Sequence, residues 1–213
     1  MLEMLLRSCQ TVKLDPPYLL RKYGVTEEEF EQITDEDIKA ELFDGELIVH
    51  SPASLRHDDL CTFLSFLIRG YADRKRLGIV YGANNAVTRL ASRRKFAPDM
   101  MFVRAERLSL TAGKELDGAP DLVMEVLSEA TRRYDLEEKR QAYREAGIDE
   151  IWLVDDNRRQ LIIDHRQKRG YREQLKRRGK AVSQVLPGFW LEAAWLWETK
   201  LPEALSCLEK ILG

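Results

Sequence analysis

The chain has 213 residues, of which 44% are hydrophobic and 33% charged, with a formal net charge of -2. That length supports one full hydrophobic core, and that composition excludes a disordered chain. No apolar stretch is long enough to cross a bilayer, and the near-zero charge argues against a nucleic-acid protein that binds by bulk charge alone.

The opening segment, MLEMLLRSCQ, has no basic n-region and so does not read as a signal peptide. Cys9, Cys61 and Cys207 are widely separated and lack metal-type spacing, which points to a reducing, cytoplasmic compartment. Charge is unevenly spread: residues 1–46 hold 12 acidic and 5 basic residues, which leaves a mildly basic body. The objection to a nucleic-acid partner is weakened accordingly.

Residues 1–25 read as an N-terminal extension, broken at Asp15-Pro16-Pro17. Thr26 and Glu29 form a capping box that opens a short helix. Asp44-Gly45 marks a hairpin turn between the short strands Glu41-Leu42-Phe43 and Glu46-Leu47-Ile48-Val49. Leu60, Phe63, Leu64, Leu67 and Ile68 then define one apolar face of a helix over about residues 57–72. Strands are expected at 79–81 and 86–88, followed by a polar loop over 91–95 and a strand over 99–103. The next strand spans 121–127. Asp135 and Glu138 read as a second capping box, opening a helix that stops at Gly147. Ile151-Trp152-Leu153-Val154 begins a meander, and a last short helix runs from Pro202 to about residue 211. The pattern is that of one α/β domain over 26–200, a mixed β-sheet flanked by helices, with the C-terminal helix (201–213) packed on the same domain.

Two of these strands carry an acid inside an apolar run: Asp99 before Met100-Met101-Phe102-Val103, and Glu125 between Val123-Met124 and Val126-Leu127. A carboxylate in such a place needs a partner, because an unpaired buried charge is costly. Two inward carboxylates on neighbouring strands make a hard-oxygen site suited to Mg²⁺, with the Val126 carbonyl as a further candidate ligand. In the following helix Leu136, Lys139 and Tyr143 share one face, so a lysine replaces an apolar residue on the inward side. A lysine there can stabilise an attacking hydroxide or charge developing on phosphate.

Taken in order, several pieces resemble the Uma-two family of restriction-endonuclease-like proteins, formerly a domain of unknown function, within the PD-(D/E)XK nuclease superfamily. They are Glu41 through Leu47, His57, Pro98-Asp99, Pro120 through Ser128, Asp135 through Lys139, and Ile151 through Asp155. The resemblance covers roughly residues 26–197. It implies a restriction-endonuclease-like mixed β-sheet and a Mg²⁺-dependent endonuclease acting on DNA, with Mn²⁺ as an alternative ion. Asp99 matches the first aspartate of the motif and Glu125 its second acid. Leu127 stands where the motif places its lysine, and Lys139 is the migrated replacement. Glu46 matches an upstream acid that would complete the catalytic set.

Each residue also has a plain structural reading. Lys139 could pair with Asp135 on a solvated helix face. Asp121 shares strand parity with Glu125 and could be a supporting acid or a strand-start cap. His57 could reach the site or merely open its helix. Arg93, Arg94, Lys95, Arg132 and Arg133 could track a phosphate backbone, although charge runs are commonly solvated surface. The reading from another class is a non-catalytic nuclease-fold module for nucleic-acid binding or oligomerisation. Paired nicks on duplex DNA would suit a symmetric homodimer.

Overall fold

The computed structural model describes residues 16–33, 38–82 and 86–213. Strand β1 (Leu19–Tyr23) precedes helix α1 (Glu27–Ile33), and strands β2 (Ala40–Phe43) and β3 (Glu46–His50) follow. The stretch expected to be an extension therefore contributes a strand, and β1 pairs antiparallel with β3. The Thr26 capping box forms as expected: the Glu29 N–H donates to Thr26 Oγ1 at 3.1 Å, and the Thr26 N–H to Glu29 Oε2 at 2.9 Å. Asp44 and Gly45 turn the β2–β3 hairpin with φ of 50° and 87°, the left-handed pair that such a two-residue turn demands.

Helix α2 (Leu55–Lys75) is longer than its apolar stripe, because Ser54 caps its start by accepting the His57 N–H at 3.2 Å. Strands β4 (Gly78–Gly82), β5 (Thr88–Ala91), β6 (Arg94–Phe96), β7 (Met100–Arg104), β8 (Leu116–Asp117) and β9 (Leu122–Val126) follow. The polar loop expected over 91–95 is instead a β5–β6 hairpin, turned at Arg93 with φ 58°. Hydropathy hid this strand because two of its three residues are Arg94 and Lys95.

After β9 the chain makes a short helix α3 (Arg132–Tyr134), a π-helical segment (Asp135–Lys139) and α4 (Arg140–Glu145). The capping pair lies earlier than Asp135 and Glu138: Thr131 N–H donates to Ser128 Oγ at 3.1 Å, and the two hydroxyls bond at 2.8 Å. Strands β10 (Glu150–Asp155), β11 (Gln160–Arg166) and β12 (Tyr171–Lys176) form the expected meander. A small β13 (Lys180–Val182) and β14 (Trp190–Glu192) pair precedes helix α5 (Ala204–Leu212). Helix α5 lies against α2 at Gly70, where a Cβ would come within 2.6 Å of Leu208 Cδ2.

The expected mixed α/β architecture forms, and among the described residues it is built on two six-stranded sheets, ordered β1-β3-β2-β6-β5-β8 and β12-β11-β10-β9-β7-β4. In the second, β9 runs parallel to β10 and antiparallel to β7. Alternation along β9 sends Leu122, Met124 and Val126 to the core under α2 and α5. Val123 and Leu127 go to the other face, packed with Ile48 and Phe96 of the first sheet and Tyr143 of α4. Glu125 shares that second parity, which places its carboxylate between the two sheets. Among the described residues, no helix is long and apolar enough to cross a membrane.

Candidate active site

Asp99 and Glu125 meet. β7 and β9 are adjacent, with Met100 opposite Met124, so the residues flanking that pair come together. The Asp99 N–H donates to Glu125 Oε2 at 3.3 Å, and the Val126 N–H donates to Asp99 Oδ2 at 2.8 Å. Lys139 joins them from the π-helical segment, with Nζ 2.9 Å from Glu125 Oε1. Tyr143, one helical turn on, donates its hydroxyl to the same oxygen at 2.6 Å. The helical stripe of Lys139 and Tyr143 therefore points inward, as the sequence indicates.

Glu41 and Lys39 join the cluster unexpectedly. Glu41 on β2 is fully buried, and its Oε1 lies 2.6 Å from Lys139 Nζ while also accepting the Ala97 N–H at 2.9 Å. Its Oε2 lies 3.0 Å from His50 Nε2. Lys39, just before β2, places Nζ 2.6 Å from Asp99 Oδ1. The signal for Glu41 was on the page: it interrupts the apolar run Ala40-Glu41-Leu42-Phe43 as Glu125 interrupts its own. Lys39 had no such signal, since it lies outside any periodic run.

Glu46 lies apart from this cluster. It pairs with Arg21 at 3.3 Å, and Arg21 also reaches Glu138 at 2.7 Å. Glu46 is not among the residues lining the cavity over the site. Along the hairpin, Glu46 sits beside the turn, opposite Phe43, whereas Glu41 lies deeper on the strand and projects into the core. Asp121 also lies apart: it is four positions back from Glu125, about 13 Å at strand rise, and binds Arg104 at 2.7 Å and Arg107 at 2.8 Å. His57 does reach the site, with Nε2 3.2 Å from Asp99 Oδ2.

The basic residues separate. Lys95 is buried at 2% exposure and neutralised by Glu31, Glu27 and Glu115, so it is no backbone contact. Arg94 is committed to Asp44 and Glu145, and Arg132 to Asp155 at 2.9 Å. Arg133 is 87% exposed and, among the described residues, pairs with its helix neighbour Glu137. Arg93 is exposed at the β5–β6 turn.

The electrostatics follow from the crowding. Four buried or nearly buried acids, Glu41, Asp99, Glu125 and Asp135, face two lysines, Lys39 and Lys139. Burial alone would raise the Glu41 carboxyl, but Lys139 and His50 overcome it and hold it well below the usual range. Asp99 is likewise lowered against its burial, by Lys39 and His57. Burial raises Glu125, and although Lys139 opposes this, the Asp99 charge adds to the rise. Asp135 is pushed up to about 8, mainly by burial, against the pull of Lys139. Burial would lower Lys139, but Glu125 and Glu41 keep it above the normal lysine value.

This donor set fits a divalent cation. The acids outnumber the ammonium groups, and His50, His57 and protons retained on Glu125 and Asp135 relieve the excess. Among the described residues, Asp135 Oδ1 is buried with no hydrogen-bond partner, and Glu125 Oε2 accepts a single long bond. Asp99, Glu125, Asp135, Lys39, Lys139 and His57 all line one cavity of about 930 Å³. A large cavity with convergent, perturbed ionisable groups is the ordinary form of an active site.

Two sheets clasp acid–lysine pairs at the β7–β9 junction in a restriction-endonuclease-like fold. Residues 27–194 match the Uma2 family model, described as "Putative restriction endonuclease", and the chain belongs to that family. The fold is similar to a crystal structure described as a putative nuclease belonging to DUF820 from Anabaena variabilis. The TM-score is 0.70 at 15% identity, over 81% of this chain and 97% of that one. No curated protein matches the chain.

Proposed function

We propose that this chain is a metal-dependent endonuclease that hydrolyses DNA phosphodiester bonds. The observation that carries the reading is the joining of Asp99 and Glu125 through a backbone hydrogen bond, with one lysine paired to each, at the wall of a single large cavity. Membership of a family described as restriction endonucleases supports it.

Asp99 and Glu125 would hold Mg²⁺, or Mn²⁺ in its place, with the Val126 carbonyl as a further candidate ligand. Such an ion polarises a phosphoryl oxygen and makes hydroxide available near neutral pH. The remaining work falls to side chains. Lys139, 1% exposed and clamped by Glu41 and Glu125, keeps Glu125 oriented and offers positive charge to the attacking water. Glu41 positions Lys139 and takes the role first expected of Glu46. Lys39 is 25% exposed, so it is the lysine able to leave its carboxylate and meet a substrate phosphate. Arg133, two residues beyond the cavity-lining Thr131, would contact the backbone farther along.

The test is incubation of purified protein with supercoiled plasmid and Mg²⁺ or Mn²⁺. Nicking or linearisation is expected, and EDTA should abolish it. Absence of cleavage under both ions, or equal cleavage by Glu125→Ala, would sink the reading.

A further inference from the structure

Asp99 presents two distinct sides. Its Oδ1 faces Lys39, while its Oδ2 faces His57 Nε2 at 3.2 Å. The other ring nitrogen of His57 lies 3.6 Å from Cys61 Sγ. One ligand atom from each of His57, Cys61 and Asp99 lies within 4.8 Å of the other two. The arrangement has a simple origin. His57 and Cys61 are four residues apart on α2, so they stack on one helix face, and Asp99 enters from the start of β7.

A thiol has no place around a hard cation. Mg²⁺ takes oxygen ligands and keeps several waters. One imidazole, one thiolate and one carboxylate form instead the donor set of a borderline transition ion. With bonds of about 2.0–2.3 Å in a tetrahedron, ligand atoms stand about 3.3–3.7 Å apart. The separations here, 3.2 Å from Asp99 Oδ2 to His57 Nε2 and 3.6 Å from Cys61 Sγ to His57 Nδ1, approach that spacing but involve different ring nitrogens. A single ion takes one ring nitrogen, so ligation requires the His57 ring and the Cys61 thiol to reorient around it.

We propose that His57, Cys61 and Asp99 form a three-ligand binding site for a Zn²⁺-class transition ion, with a fourth position open to the cavity. On ligation the Cys61 thiol releases its proton to solvent and binds as thiolate. Lys39 stays in place, because the ion approaches Asp99 from the Oδ2 side. The site shares Asp99 with the nuclease reading, so occupancy by Zn²⁺ competes with a hard cation held by Asp99 and Glu125. It does not depend on cleavage, and the two readings fail separately.

The experiment is a Co²⁺ titration of the reduced, full-length protein, followed by near-ultraviolet absorption. Thiolate ligation should give a charge-transfer band that saturates at a single Co²⁺ per chain and disappears when Zn²⁺ is added. The band should be lost in Cys61→Ser and persist in Cys207→Ser and Cys9→Ser. His57→Gln, at a partly exposed position, should weaken Zn²⁺ binding by roughly tenfold or more, at least the loss seen when supporting residues of metal sites are removed. No band in the wild type, a band that survives Cys61→Ser, or unchanged Zn²⁺ affinity in His57→Gln would overturn the proposal. Plasmid cleavage is not read in this titration, so a catalytically silent protein gives the same answer.

Discussion

Lys139→Met removes the cation at the centre of the cluster and keeps the length of the side chain. In the wild type its ammonium lies 2.6 Å from Glu41 and 2.9 Å from Glu125, with all three side chains no more than 2% exposed. Breaking a buried ion pair by deleting one partner typically costs about 3–5 kcal/mol. A chain of this size loses about 2–4 °C of Tm per kcal/mol, so the expected fall is about 6–20 °C. The fall should depend on pH. Without Lys139, burial and the Asp99 charge keep the Glu125 carboxyl above its unfolded value of about 4.3. A raised carboxyl costs nothing below that value, and the cost grows as pH rises toward its folded value. The deficit is therefore smallest near pH 4.5 and largest near pH 8. Thermal unfolding followed by circular dichroism at the two pH values checks this. Adding Glu41→Gln to Lys139→Met should recover part of the loss, because one stranded charge is removed. A shift below about 2 °C, or one equal at both pH values, would refute the ion-pair account of Lys139.

Other outcomes follow from the same geometry. Asp135→Asn should stabilise the protein increasingly as pH rises from about 4 to about 8, because the folded carboxyl holds its proton over that range while the unfolded one has lost it; thermal scans at pH 5 and pH 8.5 measure the gain, and equal stability of variant and wild type at both would contradict it. Lys39→Met should weaken binding of a short DNA duplex in Ca²⁺ by roughly tenfold, the scale of one charged hydrogen bond, as read by fluorescence anisotropy; unchanged affinity would remove Lys39 from the phosphate contacts. Asp121→Asn should lower Tm by several degrees, since Arg104 and Arg107 converge on its fully buried side chain, yet leave plasmid nicking intact. A loss of nicking in folded protein would return Asp121 to the site.

The candidate site shows in the sequence where a charge breaks an apolar pattern. Asp99 and Glu125 stood out because their strands are otherwise apolar, and Lys139 because it fell in the stripe of Leu136 and Tyr143. Glu41 carried the same mark but was passed over for Glu46, whose place in the resemblance was equally good. What separates them is depth along the hairpin: Glu46 sits beside the turn and meets Arg21, whereas Glu41 projects between the sheets. That distinction depends on where the second sheet packs, which no local pattern states. Asp135 misled for a related reason. It resembles a capping residue three before Glu138, but the helix starts earlier, at the Ser128–Thr131 pair, and its π-helical turn carries Asp135 into the interior. The β6 strand was invisible because Arg94 and Lys95 are satisfied by distant acids and not by solvent. Lys39 offered no pattern, and only the fold brings it to Asp99.

The most direct test of the central claim is single-turnover cleavage of a DNA duplex in Mg²⁺ by wild type, Asp99→Asn, Glu125→Gln and Glu46→Gln side by side. Asp99→Asn and Glu125→Gln should each lose on the order of a hundredfold or more in rate, at least the loss expected on removing one preorganised transition-state contact. Glu46→Gln, which loosens a half-buried pair with Arg21, should cleave at the wild-type rate. Retention of wild-type cleavage by Glu125→Gln, or its loss in folded Glu46→Gln, would contradict the placement of the active site at the β7–β9 junction.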